Sequence, residues 1–176
     1  MKQKTLLLLI CITIIFQLSV PVYMIAVELG TLKSGASYKI KVGPVDPYDA
    51  FRGRYVAIRP DDAALFRCEP YTGQSNIVYA ALAEDEAGFA YVTALTESPP
   101  VHSDYIKGSV NYGGYINFPI ERYYMDEKLA PAAEQAYQNR SEGQDFYILL
   151  RVKDGHCVIE GLFVDGIAIE IYLTQN

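Results

Sequence analysis

An apolar run without a single charged side chain opens this sequence and limits its fold more than any other feature. Charged residues are absent between Thr5 and Val27, where Leu, Ile, Val and Phe dominate. At about 1.5 Å per residue, a helix of this length is roughly 30 Å long, which matches the hydrocarbon core of a bilayer. Residues 1–27 are therefore predicted to form a single transmembrane helix that lies outside the folded domain.

The flanks of the apolar run favour an uncleaved signal anchor over a cleaved signal peptide. Signal cleavage requires small residues at the −3 and −1 positions. The best candidate cleavage site, after Ala26, places the large side chain of Met24 at −3. Lysines lie on both sides of the run in nearly equal number, so the positive-inside rule barely separates the two orientations. The very short N-terminal side favours an N-terminus inside the cell and residues 28–176 outside the membrane.

The composition of the remaining chain is that of one globular domain. The protein has 176 residues, of which 51% are hydrophobic and 20% charged, and its net charge is −6. The apolar content is too high for a disordered tail, and the length is that of a single domain. A negative chain is poorly suited to neutralise phosphates, so nucleic acid is not expected among its partners.

Alternating apolar residues predict a compact antiparallel domain that is mainly β, or α+β, over residues 36–176. Residues 28–35 are interpreted as a linker, and one short helix is predicted at Leu129–Arg140. Asp154-Gly155 and Asp165-Gly166 are strong two-residue hairpin signals. The predicted strands are Ala36–Val42, Arg54–Arg59, Ile77–Ala83, Phe89–Leu95, a bent pair within Ser109–Phe118, Phe146–Val152, Cys157–Val164 and Ile167–Leu173.

A charged segment between the first two predicted strands is the first candidate site. Asp46 and Asp49 precede Arg52, Gly53 and Arg54. On a strand the two arginines would face the same side, where they could pair with the aspartates or bind an anion. The segment is therefore either a loop held by Asp–Arg pairs or a binding site in which the glycine allows close approach of a ligand.

This segment resembles the motif of the GDYXXLXY family. Asp46-Pro47, Asp49 and Phe51-Arg52-Gly53 match the approach to the motif, and Gly53 and Tyr55 match the motif itself. Arg54, Ile58 and Pro60 replace its aspartate, leucine and final tyrosine. A second segment, Ile120–Glu127, is similar to a later part of the family that has a Glu-Arg-Tyr-Phe core.

The resemblance implies a short bacterial protein with one membrane anchor and one extracytoplasmic domain. The family has no established chemistry. Some members are encoded beside a multi-spanning membrane protein, which suggests another integral membrane protein as a partner. The implied localisation is the bacterial cell membrane, with a single pass and the C-terminal domain outside.

Tyrosines form the second candidate site. The chain has 15 tyrosines and no tryptophan. Tyr112, Tyr115, Tyr123 and Tyr124 lie close together in sequence, next to Glu121 and Arg122. Tyrosine is common both in protein interfaces and in strands, so this group is either an exposed contact patch or a set of partly buried strand residues.

No pattern in the sequence predicts a cofactor, a metal site or a catalytic set. The only histidines, His102 and His156, lack the short spacing of zinc ligands. A phosphate-binding glycine loop and a nucleophile elbow are both absent from the sequence. Cys68 and Cys157 could form a disulfide outside the membrane, or they could be two buried thiols.

These observations favour a membrane-anchored extracytoplasmic binding or assembly module over an enzyme. The alternative is an extracytoplasmic hydrolase, or an anion- or ligand-binding domain, that uses Asp46, Asp49 and Arg52. The predicted binding residues are Asp46, Asp49, Arg52, Gly53, Arg54, Tyr55, Tyr112, Tyr115, Glu121, Arg122, Tyr123 and Tyr124.

Overall fold

The structure, a computed structural model, describes residues 3–43, 55–111, 115–140 and 143–175. The first helix, α1 (Gln3–Ser34), contains the whole apolar run. Its segment Leu7–Ser34 has a mean hydropathy of 2.3 and is long and apolar enough to cross a membrane. The linker predicted at residues 28–35 is wrong, because the helix continues without interruption to Ser34 and the first strand begins at Ala36.

The described chain after α1 consists of short strands and three short helices. The helices are α2 (Asp62–Leu65), α3 (Ala130–Gln138) and α4 (Ile169–Gln175). The strands are β1 (Ala36–Gly43), β2 (Tyr55–Ala57), β3 (Arg59–Pro60), β4 (Ile77–Glu84), β5 (Ala90–Thr96), β6 (Tyr105–Val110), β7 (Ile116–Asn117), β8 (Arg122–Tyr124), β9 (Phe146–Lys153), β10 (His156–Val164) and β11 (Ile167–Ala168).

The strands form three antiparallel sheets. A five-stranded sheet has the order β11-β10-β9-β1-β3, a four-stranded sheet has the order β5-β4-β6-β7, and β2 pairs with β8. The predicted compact antiparallel domain, mainly β or α+β, is confirmed; besides the one predicted short helix, which is α3, the described residues also form α2 and α4. The predicted strands Ile77–Ala83 and Phe89–Leu95 are also confirmed, and they pair antiparallel as β4 and β5.

One apolar core lies between the two larger sheets. The five-stranded sheet contributes Ile40, Ile148 and Leu162, each with 0% of its surface exposed. The four-stranded sheet contributes Val92 and Ile106, at 0% and 1%. Single bridges from Lys39 to Phe89 and from Ile106 to Gly155 join the sheets at two places, so residues far apart in sequence enclose the same core.

The end of α1 is built into the domain. Thr31 is 2% exposed, and its carbonyl accepts a hydrogen bond from the Gly35 amide at 2.8 Å. Arg151 donates to the Gly35 carbonyl at 3.3 Å, and Lys153 donates to the Ser34 hydroxyl at 2.8 Å. A Cβ atom at Gly35 would lie 2.5 Å from the Thr31 carbonyl oxygen, so the tight junction between helix and strand requires glycine there.

Two further predicted strands differ from the structure. The predicted strand Arg54–Arg59 is divided at Ile58 in the structure, because Tyr55–Ala57 pairs with β8 whereas Arg59 pairs with β1. The predicted strand Ile167–Leu173 is wrong beyond Ala168, because α4 follows. Ile169, Tyr172 and Leu173 pack against the core, and their spacing is that of one helical face.

Candidate functional site

The two segments that carry the family resemblance lie side by side in the structure. Strands β2 and β8 pair antiparallel, with Tyr55 opposite Tyr124 and Ala57 opposite Arg122. The Ile58 amide continues the pairing by donating to the Glu121 carbonyl at 2.8 Å. We call this two-stranded unit the β2–β8 ribbon. Tertiary structure thus brings together two motif segments that are separated by much of the domain in sequence.

The outer face of the β2–β8 ribbon combines two tyrosines with an arginine. The ring centroids of Tyr55 and Tyr124 are 5.6 Å apart, and the guanidinium carbon of Arg122 lies 5.1 Å from the Tyr55 centroid. A hydrogen bond with the Tyr124 side chain is the main reason that the pKa of Arg122 is raised. Tyr124 is 65% exposed. An exposed Tyr–Arg group of this kind is typical of residues that dominate protein interfaces.

The inner face of the ribbon attaches it to the domain. Val56 is 0% exposed, and the Tyr123 hydroxyl donates to Glu170 in α4 at 2.6 Å. Burial, with a further contribution from Glu170, raises the pKa of Tyr123, so its hydroxyl stays protonated. Tyr123 was grouped with the contact residues in the sequence analysis, but it faces away from Tyr55, Arg122 and Tyr124 and holds the ribbon in place.

A cavity of about 570 Å³ lies next to the ribbon. Its charged lining is mixed, since Arg59 and Arg122 are accompanied by Asp62 and Glu121. Tyr115, which is 77% exposed, also lines it. Apolar lining residues include Ile58, Leu65, Phe66, Ile116, Phe118 and Ile120. A lining with both signs of charge and a large apolar component suits a polypeptide surface better than a bare anion.

Helix α3 and Arg140, two residues beyond its end, hold the backbone where the charged motif segment begins. The Tyr137 hydroxyl donates to the Gly43 carbonyl, and Arg140 donates to the Val42 carbonyl at 2.9 Å. Tyr137 is 1% exposed, and burial raises its pKa to about 12. Six predicted binding residues, namely Asp46, Asp49, Arg52, Gly53, Arg54 and Tyr112, lie outside the described residues, so the predicted Asp–Arg pairing stays a prediction.

Several residues of the site could not be identified from the sequence. Arg59 and Asp62 line the cavity, and Arg140 and Glu170 hold its surroundings. Arg59 occupies a position that the motif leaves unspecified, and the other three belong to no motif. Within the predicted helix Leu129–Arg140, Tyr137 shares one face with Ala133, and this spacing indicates that Tyr137 is buried. The spacing does not predict that its hydroxyl reaches the Gly43 carbonyl.

The two cysteines of the domain are free thiols, so the disulfide alternative is not formed in the structure. Cys68 lies beside Thr93 and Leu95, whereas Cys157 lines a cavity next to α1. The two thiols therefore line different cavities. Within the part of the chain that the structure describes, no three His, Cys, Asp or Glu side chains are grouped so that they could hold a metal ion.

The structure thus defines a mostly antiparallel β domain joined directly to one helix that is long and apolar enough to span a membrane. Residues 17–162 match the model of the family described as GDYXXLXY protein, which covers most of the chain, so the protein belongs to the GDYXXLXY family. No curated protein and no solved structure matches the chain significantly.

Proposed function

We propose that the protein is a membrane-anchored extracytoplasmic binding module that associates with another integral membrane protein through the outer face of the β2–β8 ribbon. The observation that carries this proposal is the convergence of both family-motif segments on one group, in which the half-buried Tyr55 lies against the exposed Arg122 and Tyr124. Tyrosine and arginine contribute most when a partner excludes water around them.

Co-purification from native membranes tests the proposal. The full-length protein is isolated in mild detergent, and the amount of each co-purifying membrane protein is compared between the native chain and the Tyr124→Ala and Arg122→Ala variants. We expect a stoichiometric partner with the native chain and a loss of at least about fivefold with each variant, the effect of an interface residue worth over about 1 kcal/mol. Protease added to intact spheroplasts reports whether the domain is outside.

Tyr91→Ala is the matched control, because Tyr91 forms a similar pair with Arg67 on a different strand. The Arg67 guanidinium carbon lies 4.4 Å from the Tyr91 ring centroid. This variant should retain the partner. A native chain that purifies alone would contradict the proposed association. Equal loss of the partner in the Tyr91→Ala and Tyr124→Ala variants would contradict the proposed face.

A further inference from the structure

A second cavity, of about 280 Å³, lies between α1 and the domain. The helix contributes Val27, Glu28 and Thr31 to its lining. The domain contributes Lys107 from β6, Pro119, and the residues Gly155–Val158 at the β9–β10 turn and the start of β10. This cavity is separate from the β2–β8 ribbon, and we call it the anchor crevice.

The anchor crevice lies at the level where the apolar run ends. Val27 is the last residue of the uncharged segment, and Glu28 is the first charged residue after it. When α1 spans a bilayer, this transition falls at the boundary between the hydrocarbon core and the headgroups. The side of the membrane on which the domain lies does not affect this argument, because both leaflets have the same boundary.

The position of the crevice is fixed by hydrogen bonds on both of its walls. The Lys107 amide donates to the Gly155 carbonyl at 3.0 Å, which ties β6 to the β9–β10 turn. The hydrogen bonds of Ser34 and Gly35 with Lys153 and Arg151 fix the end of α1 to the same hairpin. The helix and the turn are therefore held as opposite walls of one crevice.

The lining of the anchor crevice is amphipathic. Val27, Pro119 and Val158 provide apolar surface, and the half-buried Cys157 thiol is kept uncharged because burial raises its pKa to about 12. Lys107 and His156 are exposed and provide nitrogen donors. On the helix wall the exposed Glu28 carboxylate can accept hydrogen bonds. A ligand that combines a phosphate with hydroxyl groups and methylenes matches this lining, because the phosphate accepts from the nitrogen donors, the hydroxyls donate to the carboxylate and the methylenes pack on the apolar side chains.

We infer that the anchor crevice binds one membrane phospholipid with an anionic, hydroxyl-bearing headgroup. The phosphate contacts Lys107 and His156, the headgroup hydroxyls donate to Glu28, and the first methylenes of the lipid lie against Val27 and Val158. The inference rests on α1 spanning the membrane and not on the partner of the β2–β8 ribbon. Loss of lipid and loss of that partner are therefore distinguishable outcomes.

Native mass spectrometry of the full-length protein in mild detergent tests this inference with phosphatidylglycerol as the probe. We expect one bound phosphatidylglycerol per chain and weaker retention of phosphatidylcholine, which lacks both the net charge and the hydroxyls. The Lys107→Gln variant removes the charge and keeps most of the side-chain length. It should weaken phosphatidylglycerol binding about fivefold, the effect of one basic residue near an anionic surface.

Lys128→Gln is the matched control, because Lys128 is also exposed but does not line the crevice. It should bind phosphatidylglycerol as tightly as the native chain. Equal binding by the Lys107→Gln and Lys128→Gln variants would overturn the inference, as would equal retention of both lipids. Displacement of the lipid by inorganic phosphate at similar concentration would overturn the assignment to a lipid, since free phosphate would then be the ligand.

Discussion

At the scale of single residues, Gly155 has two separate roles. The Asp154-Gly155 pair predicts a two-residue hairpin from local sequence alone, and the structure confirms it with φ values of 50° and 81°. A second constraint comes from another strand. A Cβ atom at Gly155 would lie 2.6 Å from the Tyr105 ring. Glycine is therefore needed both for the turn and for the contact between β6 and the hairpin.

Gly155→Ala is expected to lower the free energy of unfolding by about 2–4 kcal/mol, because positive φ and steric overlap both penalise the methyl group. Gly166→Ala is the matched control, since Gly166 has a φ of 86° but no atom within 4 Å of its Cβ position. Gly166→Ala should lower the free energy of unfolding by only about 1 kcal/mol, because only the positive φ penalises its methyl group. Denaturant unfolding in detergent measures both, and equal losses would contradict the steric role.

Two neighbouring tyrosines show that the burial of a single side chain could not be predicted from the sequence. Tyr123 and Tyr124 are adjacent and chemically identical, yet one donates to Glu170 and the other is 65% exposed. The alternation of a strand predicts that they face opposite sides. It does not predict which side is covered, because the cover is provided by α4, an element that the sequence did not predict.

At the scale of elements, α4 shows how tertiary packing overrides local preference. The segment Ile167–Leu173 alternates and is rich in β-branched residues, which favours a strand. It also has apolar residues at helical spacing, and Ile169, Tyr172 and Leu173 pack against the core. Strand pairing with β10 ends at Ala168. The helical face was present in the sequence but was the weaker of two overlapping patterns.

Two isoleucines of α4 distinguish the helix from the predicted strand. A strand would place Ile169 and Ile171 on the same face, whereas in the helix they are 0% and 52% exposed. Ile169→Ala should lower the free energy of unfolding by about 2–5 kcal/mol, because it leaves a buried cavity. Ile171→Ala should change it by about 0.5 kcal/mol or less. Thermal unfolding measures both, and similar losses would contradict the helix.

At the scale of elements, the sequence predicted the residues of the candidate site but not the strand pairing that brings them together. The motif segments themselves were identified, and Tyr55, Arg122 and Tyr124 were among the predicted binding residues. The ribbon that joins them has only three residues in each strand. Strands of this length have no clear periodicity, so the pairing of Tyr55 with Tyr124 could not be derived from either segment alone.

At the scale of the whole molecule, burial of tyrosines and a cysteine links stability to pH. Burial is the main cause that raises the pKa values of Tyr38, Tyr137 and Cys157 to about 12. Their ordinary values are about 10 for tyrosine and about 9 for cysteine. In the unfolded chain these groups lose their protons at lower pH, so the folded state binds more protons at alkaline pH.

The sign of this linkage predicts alkaline destabilisation. Stability from these groups is fully present below about pH 9 and should fall as the pH rises toward 12. Tyr137→Phe removes one of these titrating groups, so the decline in stability above about pH 10 should be less steep in this variant. At pH 8 the same variant should lower the free energy of unfolding by about 1–2 kcal/mol, because the Gly43 carbonyl loses its buried donor. Unfolding temperatures between pH 8 and 11 measure both effects.

The control for this series is Tyr115→Phe, which removes a hydroxyl from a side chain that is 77% exposed. Its pH profile should coincide with that of the native chain. An alkaline decline that persists unchanged in the Tyr137→Phe variant would assign the effect to other groups.

Features that depend only on neighbouring residues could be predicted from the sequence. These are the apolar helix, the β-rich class, the two Asp-Gly hairpins, helix α3 and membership of the GDYXXLXY family. Tertiary structure decided the continuation of α1 to Ser34, the helical state of α4, the pairing of β2 with β8 and the anchor crevice. The two groups differ in the sequence separation of the residues that stabilise them. A turn or an apolar run is fixed by local conformational energy, whereas these other features depend on contacts between segments that only the folded chain brings together.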